Sequence, residues 1–91
     1  MDEDKRLRVA DHVRWLTTAQ GTVLLETKEG KIFTLDPLGS RIWTDVQTGL
    51  SVQAMIDNIS REFDVPREVA ARDVQEFVAA LKAYSLAVEQ Q

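Results

Sequence analysis

The stretch that most constrains this chain is TVLLETKEGKIFTLDP, residues 22–37. Two runs rich in β-branched and apolar residues flank Lys28-Glu29-Gly30. A short turn ending in glycine matches a hairpin loop whose last position is left-handed, a conformation that glycine adopts without penalty. Strands are therefore expected over residues 22–27 and 31–35, with Gly30 setting their register. In the second strand Phe33 and Leu35 share one face while Ile32 and Thr34 share the other, so each face carries an apolar side chain. Asp36 and Pro37 end the strand and open a helix, because aspartate caps orphan N–H groups and proline suits the first helical position. A strand that passes into a helix with almost no linker implies an α+β fold.

The remaining elements follow from periodicity. Residues 9–17 alternate loosely, Val13 and Trp15 against His12, Arg14 and Leu16, which predicts an earlier strand closed by a turn at Ala19, Gln20 and Gly21. Leu38, Ile42, Trp43 and Val46 recur at helical spacing, and Gly49 is placed to end that helix. Ser51 then caps a second helix carrying Val52, Met55, Ile56, Ile59 and Phe63. Asp64, Val65 and Pro66 interrupt it. A third helix runs from Arg67 to about Ser85, with Ala70, Val74, Phe77, Leu81 and Tyr84 in one apolar arc. Asp73, Glu76 and Ala80 lie on one flank of that arc, Val78 and Lys82 on the other. Leu86 and Val88 complete the packing. The expected architecture is winged-helix-like, a three-stranded antiparallel sheet followed by three helices. Residues 1–8 are expected to form a flexible tail and residues 9–88 a single domain.

Composition narrows the function. The net charge of -4 works against a phosphate backbone, and the absence of cysteine removes disulfides and thiolate chemistry. The N-terminus has no signal-peptide core, and no apolar run approaches the roughly 18 residues that span a bilayer. A cytoplasmic protein is expected. His12, the single histidine, has no cysteine or second histidine to share a metal, and the serines sit in no nucleophile-elbow setting. The four glycines form no phosphate-cradling loop. Asp36, Asp45, Asp57, Asp64 and Asp73 read as caps, turn residues or solvated positions rather than as a catalytic pair. Neither an enzyme nor a cofactor or metal site is expected.

Two binding readings remain. The second and third helices could form a helix-turn-helix that docks on DNA. Residues 64–85, however, hold three basic residues (Arg67, Arg72, Lys82) against four acidic ones (Asp64, Glu68, Asp73, Glu76), a poor balance for a phosphate-reading helix. In the alternative, the edge strand KIFTL pairs with an extended peptide whose side chains drop into a groove beside the third helix. That edge could equally be covered by the N-terminal segment, or closed by a homodimer partner in a purely structural module.

The string GKIFTLDPLGSRIW, then GLS, then ISREFDVPREVAARDVQEFVAALKAYSLAV resembles the PqqD family, named for coenzyme PQQ synthesis protein D and also called RiPP recognition elements. The resemblance spans roughly residues 9–88. It implies a winged-helix-like fold that captures the leader region of a ribosomally made precursor peptide by strand addition. The captured leader is presented to a modifying enzyme, a radical SAM protein or a leader peptidase and cyclase. Carried onto this chain, the peptide-binding residues are Lys31, Ile32, Phe33, Thr34 and Leu35 on the strand, with Asp73, Glu76, Phe77 and Ala80 on the helix. Asp36 stands where the family often has asparagine, which adds a charge near the groove mouth.

Overall fold

The hairpin forms where the sequence places it. In a computed structural model, which describes residues 5–90, the elements run β1 (Leu7–Val9), β2 (Val13–Thr18), β3 (Gly21–Glu26), β4 (Lys31–Leu35), α1 (Pro37–Gln47), α2 (Val52–Glu62), α3 (Arg67–Ala83) and β5 (Ala87–Glu89). β2, β3 and β4 make one antiparallel sheet in that order, and three helices follow it. The mixed α+β architecture is therefore as expected. The strand KIFTL is β4, and it lies at one edge.

Gly30 takes the left-handed conformation (φ 73°), and its N–H donates to the Glu26 carbonyl at 2.9 Å. The loop thus spans residues 27–30, one residue more than expected. Glu26 adds a second closure, its carboxylate accepting the Glu29 N–H at 2.7 Å. Gly21, expected to lie in the preceding turn, instead opens β3 with φ 137°. A Cβ there would lie 2.1 Å from the Leu35 carbonyl oxygen, so the close approach of β3 to the end of β4 requires glycine. Asp36 caps α1 as expected, its Oδ1 accepting the Gly39 N–H at 2.8 Å, and Ser51 caps α2 through the Ala54 N–H at 3.1 Å.

The N-terminal part differs from expectation in two respects. The single strand over residues 9–17 is interrupted: a turn at Asp11 and His12, in which the Val13 N–H reaches the Ala10 carbonyl, separates β1 from β2. Residues 7 and 8, expected in the tail, belong instead to a strand. Residues 1–4 lie outside the described residues, but Leu7 is only 1% exposed, and β1 pairs with β5 through Leu7↔Glu89, Arg8↔Val88 and Val9↔Ala87. Leu7, Val9 and Ala10 supply enough apolar surface to anchor a strand despite the charges around them. Residues 7–9 therefore pair with β5 and not with β4.

The core gathers Leu24, Ile42, Trp43, Met55, Ile56, Ile59, Val74, Leu81 and Leu86 between the sheet and the helices. Each large aliphatic side chain buried there is worth about 1.5–3 kcal/mol. On α3 the buried stripe is Ala70, Val74, Val78 and Leu81. It is rotated from the expected arc: Val78 turns inward, leaving Phe77 half-buried and Tyr84 exposed. Phe63, expected on the apolar side of α2, ends that helix in an exposed position. Arg41 ties α1 to α2 by bridging Asp45 (3.2 Å) and Glu62. Burial pushes the Asp45 carboxyl up from its ordinary value, and the adjacent guanidinium pulls the other way.

Candidate functional site

The free edge of β4 follows from the parity of the ladder. The Thr27 N–H donates to the His12 carbonyl at 2.9 Å, so the odd-numbered residues of β3 bond toward β2 and the even-numbered ones toward β4. Across β3 and β4 the bonded pairs are accordingly Glu26↔Lys31, Leu24↔Phe33 and Thr22↔Leu35. Ile32 and Thr34 turn their N–H and C=O groups away from β3. No group among the described residues takes them up.

Two contacts set α3 beside this edge. Near its middle, the Phe77 ring closes over Gly39, where a Cβ would come within 3.0 Å of it, next to the Asp36 cap that follows β4. At its C-terminal end, Tyr84 packs on Phe33, the ring centroids 5.2 Å apart and tilted by 52°. The helix therefore runs antiparallel to the strand, and a groove lies between them. At the Lys31 end the groove deepens into a pocket of about 130 Å³ lined by Glu26, Glu29, Lys31, Phe33, Ala83, Tyr84 and Ser85.

The sequence-derived residues divide by orientation. Phe33 and Leu35 are half-buried and face the helices, as does Lys31, whose ammonium lies 3.3 Å from Glu29. Ile32 and Thr34 point their side chains to the opposite face of the sheet, Ile32 being 68% exposed, so they reach the groove only through backbone groups. On α3 the half-buried Phe77 and Asp73 and the exposed Ala80 and Glu76 occupy the flank on the Tyr84 side, by their helical spacing. Two participants are not in the sequence-derived set. Tyr84, assigned to the core by its position in the apolar arc, is 56% exposed and forms a groove wall. Glu26, unremarkable in sequence, is nearly buried at the pocket floor, its Oε2 3.7 Å from the Nε2 of His12. Their signals were present: a phenol at the last turn of α3, and a carboxylate on the inward side of an apolar strand.

The basic side chains of α3 are engaged within the chain. Arg67 bonds Asp57 at 2.9 Å, Lys82 bonds Glu89 at 2.6 Å, and Arg72 lies 3.8 Å from Asp73. Such a helix offers little to a phosphate backbone. No helix among the described residues is long and apolar enough to cross a membrane.

Comparison with known proteins adds a family and two similar structures. The model of the family described as coenzyme PQQ synthesis protein D (PqqD) matches residues 21–87, an interval that contains the hairpin, the groove and all three helices. Among solved structures, TbiB1 in complex with the TbiA(beta) leader peptide superposes with a TM-score of 0.83 at 32% identity, covering 88% of this chain and 93% of that one. Lasso peptide synthetase B1 complexed with the leader peptide superposes with a TM-score of 0.84 at 25% identity, covering 91% and 98%. No curated protein shows a significant match to the chain.

Proposed function

The chain belongs to the PqqD family, and from that premise we propose that it is a non-catalytic peptide-binding protein that captures the leader region of a ribosomally made precursor. The leader adds a strand to β4 and lies against α3, held by ladder bonds to Ile32 and Thr34 and by side-chain contacts with Phe33, Leu35, Phe77 and Ala80. The observation that carries this reading is the pair of outward-facing backbone groups at Ile32 and Thr34, placed beside a helix flank that offers aromatic side chains. The two similar structures each hold a leader peptide, which supports the same role here.

The chain then presents the bound precursor to a modifying enzyme. The likeness to a lasso peptide synthetase component favours a leader peptidase and cyclase system over a radical SAM enzyme. Titration with the precursor encoded beside this chain tests the proposal. Binding in the micromolar range, with amide shifts concentrated in residues 31–35 and on the Phe77–Tyr84 flank, is the expected result. Absence of binding, or shifts confined to other elements, contradicts it.

A further inference from the structure

The pocket at the Lys31 end of the groove has a chemistry of its own. Glu26 lies at its floor with a side chain only 8% exposed. One carboxylate oxygen accepts the Glu29 N–H, while the other faces a histidine nitrogen that is buried and makes no hydrogen bond. The nearby cation, Lys31, is 3.3 Å from Glu29. Glu26 and Glu29 against Lys31 leave the lining one negative charge in excess. The Phe33 and Tyr84 rings, packed on each other, line it as well. At about 130 Å³ the space suits one side chain rather than a strand.

Resting on the strand-addition reading, we infer that this pocket seats a lysine or arginine side chain of the bound peptide, with Glu26 as its counter-ion and Tyr84 and Phe33 as its aromatic wall. A strand added to β4 turns every second side chain toward α3, and one of these falls level with Phe33. An apolar occupant would seal Glu26 further from water and bring it no new counter-charge, and an acidic one would add repulsion. A cation gains both the carboxylate and the ring faces. Asp73 and Glu76, farther along the helix flank, carry the same sign.

The test uses a yeast-displayed library of random dodecapeptides selected on the whole chain. Selected peptides should carry Lys or Arg at one recurrent position, enriched at least about fivefold over the library. Glu26→Gln keeps the size and the acceptor for the Glu29 N–H; it should still select peptides but lose that enrichment. Tyr84→Leu, at an exposed position, should lower the enrichment and provides a second route if Glu26→Gln folds poorly. Asp57→Asn on α2 removes the same charge outside the pocket and should retain the enrichment. Peptides that are lost on Thr34→Pro yet show no basic preference, or keep it in Glu26→Gln, overturn the pocket assignment while strand addition stands. Failure to select any peptide sensitive to Thr34→Pro overturns both.

Discussion

The sheet has two edges, and they are finished differently. At β2 the backbone groups of Val13, Trp15 and Thr17 point outward by the same parity that frees Ile32 and Thr34 on β4. The Val13 N–H is taken by the Ala10 carbonyl, and the Arg14 guanidinium bonds the Asp11 and Val13 carbonyls at 2.9 and 3.1 Å. Trp15 leans edge-on against the buried Trp43, 5.5 Å between centroids. A concavity of about 460 Å³ also lies there, larger than the one at β4, between β1, Trp15 and the end of α1. Size alone would favour β2 as the binding edge. β4 has the better case, because its outward groups have no cover among the described residues and a helix stands alongside to receive side chains. Natural sheets protect edges with turns and charged side chains, and at β2 the turn at residues 10–13 and Arg14 supply that protection directly to the outward groups.

The largest expected effect is on β4 itself. Gly21→Ala should destabilise the fold by about 3 kcal/mol, since the new Cβ meets the Leu35 carbonyl and the backbone is already at φ 137°. Gly30→Ala, left-handed but with open space around it, should cost about 1 kcal/mol. Urea unfolding of the two variants measures the gap, and equal losses would remove the claim that β4 is held by that close approach.

Substitution at the two edges separates them next. Thr34→Pro removes an outward N–H and should weaken peptide binding at least about tenfold, whereas Thr17→Pro on β2 should leave affinity within about twofold. Both variants should keep most of their stability, because neither N–H belongs to a β3 ladder bond. Reversal of the two effects would move the site to the larger concavity.

Tyr84→Ala should reduce peptide affinity about fivefold by removing an aromatic wall, with a stability change below about 1 kcal/mol because the side chain is largely solvent-facing. The smallest effect concerns the Arg41 bridge. An aspartate in the unfolded chain titrates near 3.8, and burial holds the folded Asp45 above that value. The stabilisation from its protonated form is complete below the unfolded value and is lost as pH rises through the folded one. Asp45→Asn should flatten the stability profile across that window, measured by urea midpoints between roughly pH 3 and pH 7. An unchanged slope would assign the pH dependence to other groups.

The sequence was most legible where local chemistry decides the structure. Gly30, Asp36-Pro37 and Ser51 act through their own backbone neighbours, and each adopts the predicted role. The misjudged elements depend on distant partners. Leu7–Val9 becomes a strand only because β5 returns to it, and Gly21 is required only because Leu35 arrives there. The candidate site divides in the same way. KIFTL was readable as an edge, but the outward position of Tyr84 depends on the rotation of α3 that buries Val78 and leaves Phe77 half-covered. A periodicity of 3.6 identifies an apolar arc without saying which part of it the neighbouring elements will cover.

Amide hydrogen exchange at Ile32 and Thr34, read by NMR before and after addition of the encoded leader peptide, reports on the β4 edge itself. Both amides should exchange rapidly in the free protein and be strongly protected in the complex, with Trp15 and Thr17 unchanged. Protection already present without peptide, or gained at Trp15 and Thr17 instead, would contradict it.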